Sequence, residues 1–299
     1  MKIVIAGGTG FVGEPLVRQL SARGDDVAVL SRDPARVKAG RAVAWDGRSA
    51  GAWTAEVDAA DAVINLAGEN VGDGRWTDER KKRLIDSRID STGAIVTALT
   101  NAPRRKRTLV NASAVGYYGY DRESEVDESG SKGKGFLADL VERWENAAKR
   151  AENVARVVIS RFGVILAGDG GALQKMILPF KFGAGGPVGS GRQWMSWVDR
   201  DDVLSSIQRA LESDSLRGVY NITAPQPVQN REFAKAVGRV LHRPAFMPAP
   251  APALRLAFGQ MADEILLGGQ RVVPRRAEAA GFTFAYRDVE AALRHALHR

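Results

Sequence analysis

The sequence runs to 299 residues with 44% hydrophobic and 26% charged side chains, a composition that supports one large core or two domains sharing an interface and excludes general disorder. It contains no cysteine, which removes disulfides, thiolate nucleophiles and thiolate metal sites at once. A formal charge of +8 suits a nucleic-acid partner only where basic residues gather on one surface, and the densest run, Arg104 to Arg107, reads as solvated loop.

The only histidines, His242, His295 and His298, fall late in the chain, which argues against a Ser-His-Asp hydrolase and against a metal centre. No apolar run approaches the roughly 20 residues that span a bilayer, and the N-terminus carries no signal-peptide pattern. The expectation is a cytoplasmic protein with a small-molecule substrate and neither membrane nor nucleic-acid partner.

The first apolar run, Lys2 to Ala6, is followed at once by Gly7-Gly8-Thr9-Gly10-Phe11-Val12-Gly13. This satisfies G-x-G-x-x-G from Gly8 and G-x-x-G-x-x-G from Gly7. Glycines at such spacing make a tight turn, let the backbone approach a pyrophosphate, and allow close packing of helix on strand. Val12, Leu16 and Leu20, spaced four apart, predict the following helix, whose N-terminal N–H groups would face the phosphates. A second strand, Val27 to Leu30, arrives on schedule for a βαβ unit.

Directly after it stands Ser31-Arg32-Asp33. Asp33 lies near the spacing at which NAD-binding units place a carboxylate on the ribose. Ser31 and Arg32 come first, however, and a hydroxyl beside a guanidinium suits a 2′-phosphate that an acid would repel. The expected cofactor is NADP(H), with Arg36 assisting.

Further β-branched runs at Ala62 to Leu66, Thr108 to Ala112 and Arg156 to Ser160 alternate with helices over about Thr77 to Thr100 and from Phe136 to Ala151. Such alternation predicts an α/β fold, a Rossmann-type doubly wound parallel sheet buried on both faces. After about Arg161 the texture changes to glycine-rich loops, 168–171 and 183–191, and a proline-rich stretch, 244–252. Residues 1–165 are therefore read as the dinucleotide-binding domain and 166–299 as mainly a smaller C-terminal substrate lobe, with some segments returning to the sheet. The ligand cleft would lie between them at the carboxyl ends of the strands. Trp194 and Trp197 are read either as a substrate wall or as core, and Asp201 and Asp202 as caps of a helix starting near Val203.

The glycine turn, Asn65-Leu66-Ala67-Gly68 and Asn111-Ala112-Ser113 together resemble the extended short-chain dehydrogenase/reductase superfamily. The runs 65–70 (NLAGEN), Arg75-Trp76-Thr77, Ser87-Arg88, 113–119 (SAVGYYG), Trp144-Glu145 and 185–191 (GGPVGSG) resemble more narrowly its epimerase-like branch of the SDR39U1/YfcH type. The C-terminal pattern over about 247–297, including 268–272 (GGQRV) and Gly281-Phe282, is similar to that branch's characteristic C-terminal domain.

What the resemblance implies is NADP(H) held by Gly7, Thr9, Gly10, Phe11, Val12 and Gly13, with Ser31 and Arg32 on the adenosine phosphate. It further implies Leu66, Ala67 and Gly68 lining the cofactor, Arg88 reaching a phosphate or ribose, and Ile165 approaching the nicotinamide. Reactive members of the superfamily pair a serine with Tyr-x-x-x-Lys on the following helix, where lysine lowers the tyrosine's pKa. Ser113 fits the serine, but Leu137 and Val141 occupy the other two places, and an aspartate, Asp199, stands where the family often has histidine. Tyr117 and Tyr118 are the nearest substitute hydroxyls, and Lys132 and Lys134 lie in a loop that could fold over the site. Two functions compete: an NADP(H)-dependent oxidoreductase or epimerase acting on a nucleotide sugar or related carbonyl compound, and a non-catalytic NADP(H)-binding redox sensor.

Overall fold

The computed structural model describes residues 1–102 and 106–298, so Arg104 and Arg105 of the basic run lie outside the described residues. In chain order the first half comprises β1 (Lys2–Ala6), α1 (Gly13–Ala22), β2 (Asp26–Ser31), β3 (Arg41–Ala44), α2 (Thr54–Ala59), β4 (Ala62–Asn65), α3 (Asp78–Asn101), β5 (Thr108–Ala114), β6 (Asp121–Val126), α4 (Phe136–Lys149) and β7 (Arg156–Phe162). It continues through β8 (Val164–Leu166), α5 (Gly171–Lys181), β9 (Trp194–Met195), β10 (Trp197–Asp199), α6 (Arg200–Glu212), β11 (Gly218–Ile222), β12 (Val228–Gln229) and α7 (Asn230–Leu241). The last elements are α8 (Ala251–Phe258), β13 (Gly269–Val272), α9 (Arg275–Ala279) and α10 (Val289–Ala296).

Seven strands form one parallel sheet in the order β11-β7-β5-β4-β1-β2-β3. Growth of the sheet reverses at β1, and the crevice between β1 and β4 is the place where doubly wound folds bind ligands. Successive side chains of a strand alternate between faces. Ile3 and Ile5 accordingly pack with Leu16 and Leu20 of α1 and Ile207 of α6, while Val4 and Ala6 pack with Val57 of α2 and Ile95 and Leu99 of α3. Two covered faces explain why these strands read as near-continuous apolar runs.

The edge strand β3 is an addition to the expected set; its burial pattern is mostly exposed, so it carries no apolar signature. The strand β11 and helix α6 return to the sheet from beyond residue 166. Helix α3 begins where Thr77 Oγ1 accepts from Arg80 N (3.1 Å), with Asp78 and Glu79 in its first turn, satisfying an end N–H and complementing the dipole. Helix α6 starts three residues earlier than expected. Asp199 is its N-cap, accepting from Asp201 N (2.8 Å), whereas buried Asp202 instead accepts from Ala285 N and Tyr286 N.

The second lobe has its own core, in which Leu173, Ile177 and Phe180 of α5 meet Trp197, Phe233 and Val237 of α7, and Leu293 of α10. Trp197 is fully buried there, which settles it as core. Trp194 is half-buried beneath the Arg271 guanidinium. The C-terminal segment crosses back, pairing β13 with β6 in parallel. Among the described residues no helix is long and apolar enough to cross a membrane.

Candidate active site

The glycine turn sits at the carboxyl end of β1. Gly7 has φ of +80°, and a Cβ there would lie 2.7 Å from the Leu66 carbonyl. A Cβ on Gly13 would lie 2.1 Å from the Gly7 carbonyl oxygen, so only glycine lets α1 start this close to the strand. Gly8 is equally confined, since a Cβ there would lie 2.7 Å from Val29 Cγ1, so both glycine spacings of the motif answer to close packing. Gly10 is exposed, and a Cβ on it would meet nothing nearer than the Gly7 oxygen at 3.2 Å. That side is an open backbone cradle at a helix N-terminus, with half-buried Thr9 and Val12 on either side of it.

At the end of β2, Ser31 Oγ donates to the Asp33 carbonyl (2.8 Å) and accepts from Asp33 N (3.2 Å). The Asp33 carboxylate accepts from Ala35 N (3.2 Å), capping the short 3-10 turn Pro34–Arg36. The acid that a ribose diol would need is thus engaged with its own turn. Arg32 and Arg36 are exposed and enter no ion pair among the described residues, leaving two guanidiniums beside a partly committed hydroxyl.

The segment following β4 is built against the glycine turn and fastened to α3. Leu66 N donates to the Ala6 carbonyl (2.9 Å), Ala67 N to Asn65 Oδ1 (3.2 Å) and Glu69 N to Ser87 Oγ (3.1 Å). Arg88 packs its guanidinium on Gly68, donates to the Leu84 and Glu69 carbonyls, and stacks over Trp144. Among the described residues it is paired with no carboxylate, and burial lowers its pKa to about 10. The structure therefore sets Gly7 against Leu66 and Ala67, and Gly68 against Arg88.

Beyond β4, at the end of β5, the arrangement departs from expectation. Ser113 Oγ donates to Glu145 Oε1 (2.6 Å), and Glu145 is held bidentately by Arg161, with Nε at 2.7 Å and Nη2 at 2.8 Å. Arg161 Nη1 donates to Tyr118 Oη (2.8 Å), which donates to Asn221 Oδ1 (2.9 Å). All five residues are buried. Burial alone would lower the Arg161 pKa, but the Glu145 hydrogen bonds and charge raise it.

Tyr118 is 0% exposed, and burial pushes its phenol up to about 12. It consequently has no surface from which to meet a substrate, and its place in the candidate catalytic set is corrected to a structural one. Tyr117 differs. It is half-buried, its ring lies on the Arg161 guanidinium (3.5 Å to the ring centre), and its hydroxyl has no hydrogen-bond partner among the described residues.

Gly116 of the turn after β5 faces Leu137 and Val141 of α4, with a Cβ there 3.4 Å from Leu137 Cβ. The helix face that would carry Tyr-x-x-x-Lys is therefore apolar. Lys132 cannot substitute, because it is bound to Asp139 and Glu142 and its pKa is raised by them; Lys134 is exposed. Ile165, half-buried on β8, flanks this region beside Val198.

The second lobe closes over the crevice. Phe11 lies against Gly170 and Gly171, and Arg200 stacks on its ring while binding Asp169 at 2.6 and 2.9 Å. Lys175 reaches Asp73 and the Gly72 carbonyl. From the C-terminal segment, buried Glu264 accepts from Phe136 N and Leu137 N (both 2.9 Å), capping α4. His295 bridges Asp199 and Asp201 and stacks on Tyr286, so the three ligand-type side chains that gather there are one histidine and two aspartates.

Arg161, Asn221, Arg200 and Glu264 escaped the sequence reading, and Glu145 entered it only through the Trp144-Glu145 motif. Only Arg161 advertised itself, as a charge inside an apolar strand, where an unpaired arginine would be costly.

Residues 3–223 match the NAD dependent epimerase/dehydratase family, and residues 249–296 match a domain of unknown function, DUF1731. The chain is 40% identical over 304 residues to the Epimerase family protein SDR39U1 homolog, chloroplastic, of Arabidopsis thaliana, covering 98% of this chain and 86% of that protein. It resembles the crystal structure of human epimerase family protein SDR39U1 (isoform 2) with NADPH, with TM-score 0.90, 36% identity and full coverage of both chains. It also resembles the nucleoside-diphosphate sugar epimerase from Corynebacterium glutamicum, with TM-score 0.81 and 32% identity, over 99% of this chain and 57% of that one.

Proposed function

The chain belongs to the NAD dependent epimerase/dehydratase family, and from that premise we propose that it is an NADP(H)-binding oxidoreductase or epimerase for a small polar substrate, a nucleotide sugar or related carbonyl compound. The observation that carries the cofactor choice is at the end of β2. There the Asp33 carboxylate is turned onto Ala35 N of its own turn, and Arg32 and Arg36 enter no ion pair among the described residues. Two guanidiniums against one carboxylate leave this corner net positive, which favours a 2′-phosphate. The NADPH bound by the human relative accords with this reading.

The residues fit the cofactor because the open cradle at Gly10 accepts a pyrophosphate and the β4 segment with Arg88 forms the facing wall. Bound, NADPH would supply hydride. Around it, Tyr117 offers the free hydroxyl that can hold or pass a proton at Oη, Ile165 and Leu137 supply an apolar wall, and the clasped second lobe excludes water. Titration with NADPH and NADH tests the cofactor, and equal or tighter NADH binding would sink it. Stereospecifically deuterated NADPH incubated with protein and cell extract tests turnover, with label expected in one metabolite.

A second reading, a redox sensor that binds NADP(H) without turnover, draws on one observation: α4 presents Leu137 and Val141 where proton-transfer groups would stand. Failure of label to move into any metabolite, with NADPH affinity intact, favours it.

A further inference from the structure

Among hydrogen bonds at the end of β5, the direction of each can be assigned. The Glu145 carboxylate is buried, accepts two bonds from Arg161 and one from Ser113, and is neutralised by that guanidinium. An ionised carboxylate is an acceptor only. The hydrogen of the Ser113 hydroxyl must then lie along the 2.6 Å line to Glu145 Oε1, and a serine hydroxyl has one hydrogen. What Ser113 retains for the cleft is its lone pairs. The same logic orients the next link, since Arg161 Nη1 can only donate to Tyr118 Oη, which therefore donates to Asn221 Oδ1.

We infer that Ser113 meets its ligand as a hydrogen-bond acceptor, so that the group it recognises is an N–H or O–H donor and not a carbonyl oxygen. This reverses the part a serine beside a reducible carbonyl would play, which is to donate to the oxygen as charge builds there. It assigns the two hydroxyls at this end of the sheet opposite offices. Ser113 reads a donor, and Tyr117, whose hydroxyl is free among the described residues, is left to give or take the proton. It also gives Glu145 and Arg161 a positioning role: they fix the rotamer and the proton of Ser113 without touching the ligand.

The inference rests on the proposed cofactor only for where the ligand lies. Arg32, at the end of β2, marks the adenosine side of β1. Ser113, at the end of β5, lies two strands to the other side, where the second nucleoside and the substrate meet. The donor is then either the carboxamide N–H2 of the nicotinamide or a hydroxyl of the substrate.

The direct test is neutron diffraction from deuterium-exchanged crystals of the full chain with NADPH. A deuteron on Ser113 Oγ directed at Glu145 is the expected result. A deuteron directed into the cleft, or one carried by Glu145 and pointing at Ser113, overturns the inference. Should the protein fail to bind NADPH at all, the cofactor reading falls, and the deuteron can still be located in crystals without it.

A binding experiment separates the two sources of the donor, using NADP+ and its 3-acetylpyridine analogue, in which methyl replaces the carboxamide nitrogen while the carbonyl oxygen stays. If the cofactor supplies the donor, Ser113→Ala weakens NADP+ by about three- to tenfold, the range of one neutral hydrogen bond, and leaves the analogue unchanged. If the substrate supplies it, neither dinucleotide is affected. Equal weakening of both means that Ser113 donates to the shared carbonyl oxygen, and the inference is wrong. Ser113→Thr, which keeps the hydroxyl, should restore the wild-type ratio and guards against a folding artefact.

Discussion

Lys175 Nζ lies 2.6 Å from Asp73 Oδ1 and 2.9 Å from the Gly72 carbonyl oxygen, so that α5 of the second lobe is tied to the loop leaving β4. Two residues before the helix, Asp169 binds Arg200, whose guanidinium stacks on Phe11 of the glycine turn, so the same N-terminal end of α5 is tied there too. One helix thus bridges both walls of the crevice through two solvent-facing ion pairs.

Such pairs contribute little to equilibrium stability, and their effect should appear in rates. Asp73→Asn and Asp169→Asn should each speed NADPH release by about two- to fivefold, with a smaller change in affinity because entry is speeded too. Stopped-flow fluorescence of NADPH displacement measures this, and added salt should bring wild type toward the variants. Unaltered release in the double variant would mean that α5 does not cover the cofactor.

Arg32→Ala should weaken NADPH by roughly 10- to 100-fold, the range of one or two charge-assisted hydrogen bonds, and leave NADH unchanged. Calorimetric titration of both cofactors gives the ratio. A parallel loss for NADH would place Arg32 elsewhere than on the 2′-phosphate.

Arg161→Met leaves Glu145 buried without its cation, and should lower unfolding free energy by about 3–5 kcal/mol. Replacing the pair together, Glu145→Leu with Arg161→Met, should recover part of that loss, since the uncompensated charge is then gone. Urea unfolding of both variants and wild type decides it; a double variant no more stable than Arg161→Met would show that the pair does not act as a unit.

The phenol of Tyr118 gives an alkaline signature. An unfolded tyrosine ionises near pH 10, whereas burial holds Tyr118 protonated to about 12. Between these values the folded state binds the extra proton, so stability present below pH 10 is lost as pH rises toward 12, by about 2–3 kcal/mol in all. Tyr118→Phe should be less stable than wild type at pH 8, because Arg161 and Asn221 lose their partner, yet show a shallower decline above pH 10. Absorbance titration of the five tyrosines should find delayed ionisation at Tyr118 and at Tyr286, both raised by burial, with the later Tyr118 step absent from the variant.

What the sequence disclosed was local. The glycine turn, the Ser31-Arg32 step and the substitution of Leu137 and Val141 are each written within a few residues, and each stands where expected. What stayed hidden depends on register and packing. Ser113 and Arg161 are neighbours because β5 pairs with β7 in one register, and Glu145 joins them from a helix 32 residues after Ser113. Helix α6 starts before the Val203 expected from Asp201 and Asp202 as caps, because tertiary contacts decide which aspartate is left to cap it. Only the backbone at 285 and 286, which claims Asp202, leaves Asp199 for the task.

Glu264 has a bearing on synthesis. The first two N–H groups of α4 are satisfied by a carboxylate 128 residues further along, and Asn221 hydrogen-bonds to Val273 just as Ser196 does to Val272. A ribosome-bound chain that has emerged only as far as the last strand of the sheet carries an uncapped α4 beside its ligand crevice. Its cofactor pocket can be shaped early, but the far end of that crevice can settle only after the C-terminal segment has emerged, so nascent chains should acquire NADPH affinity and the finished Ser113 environment at different lengths.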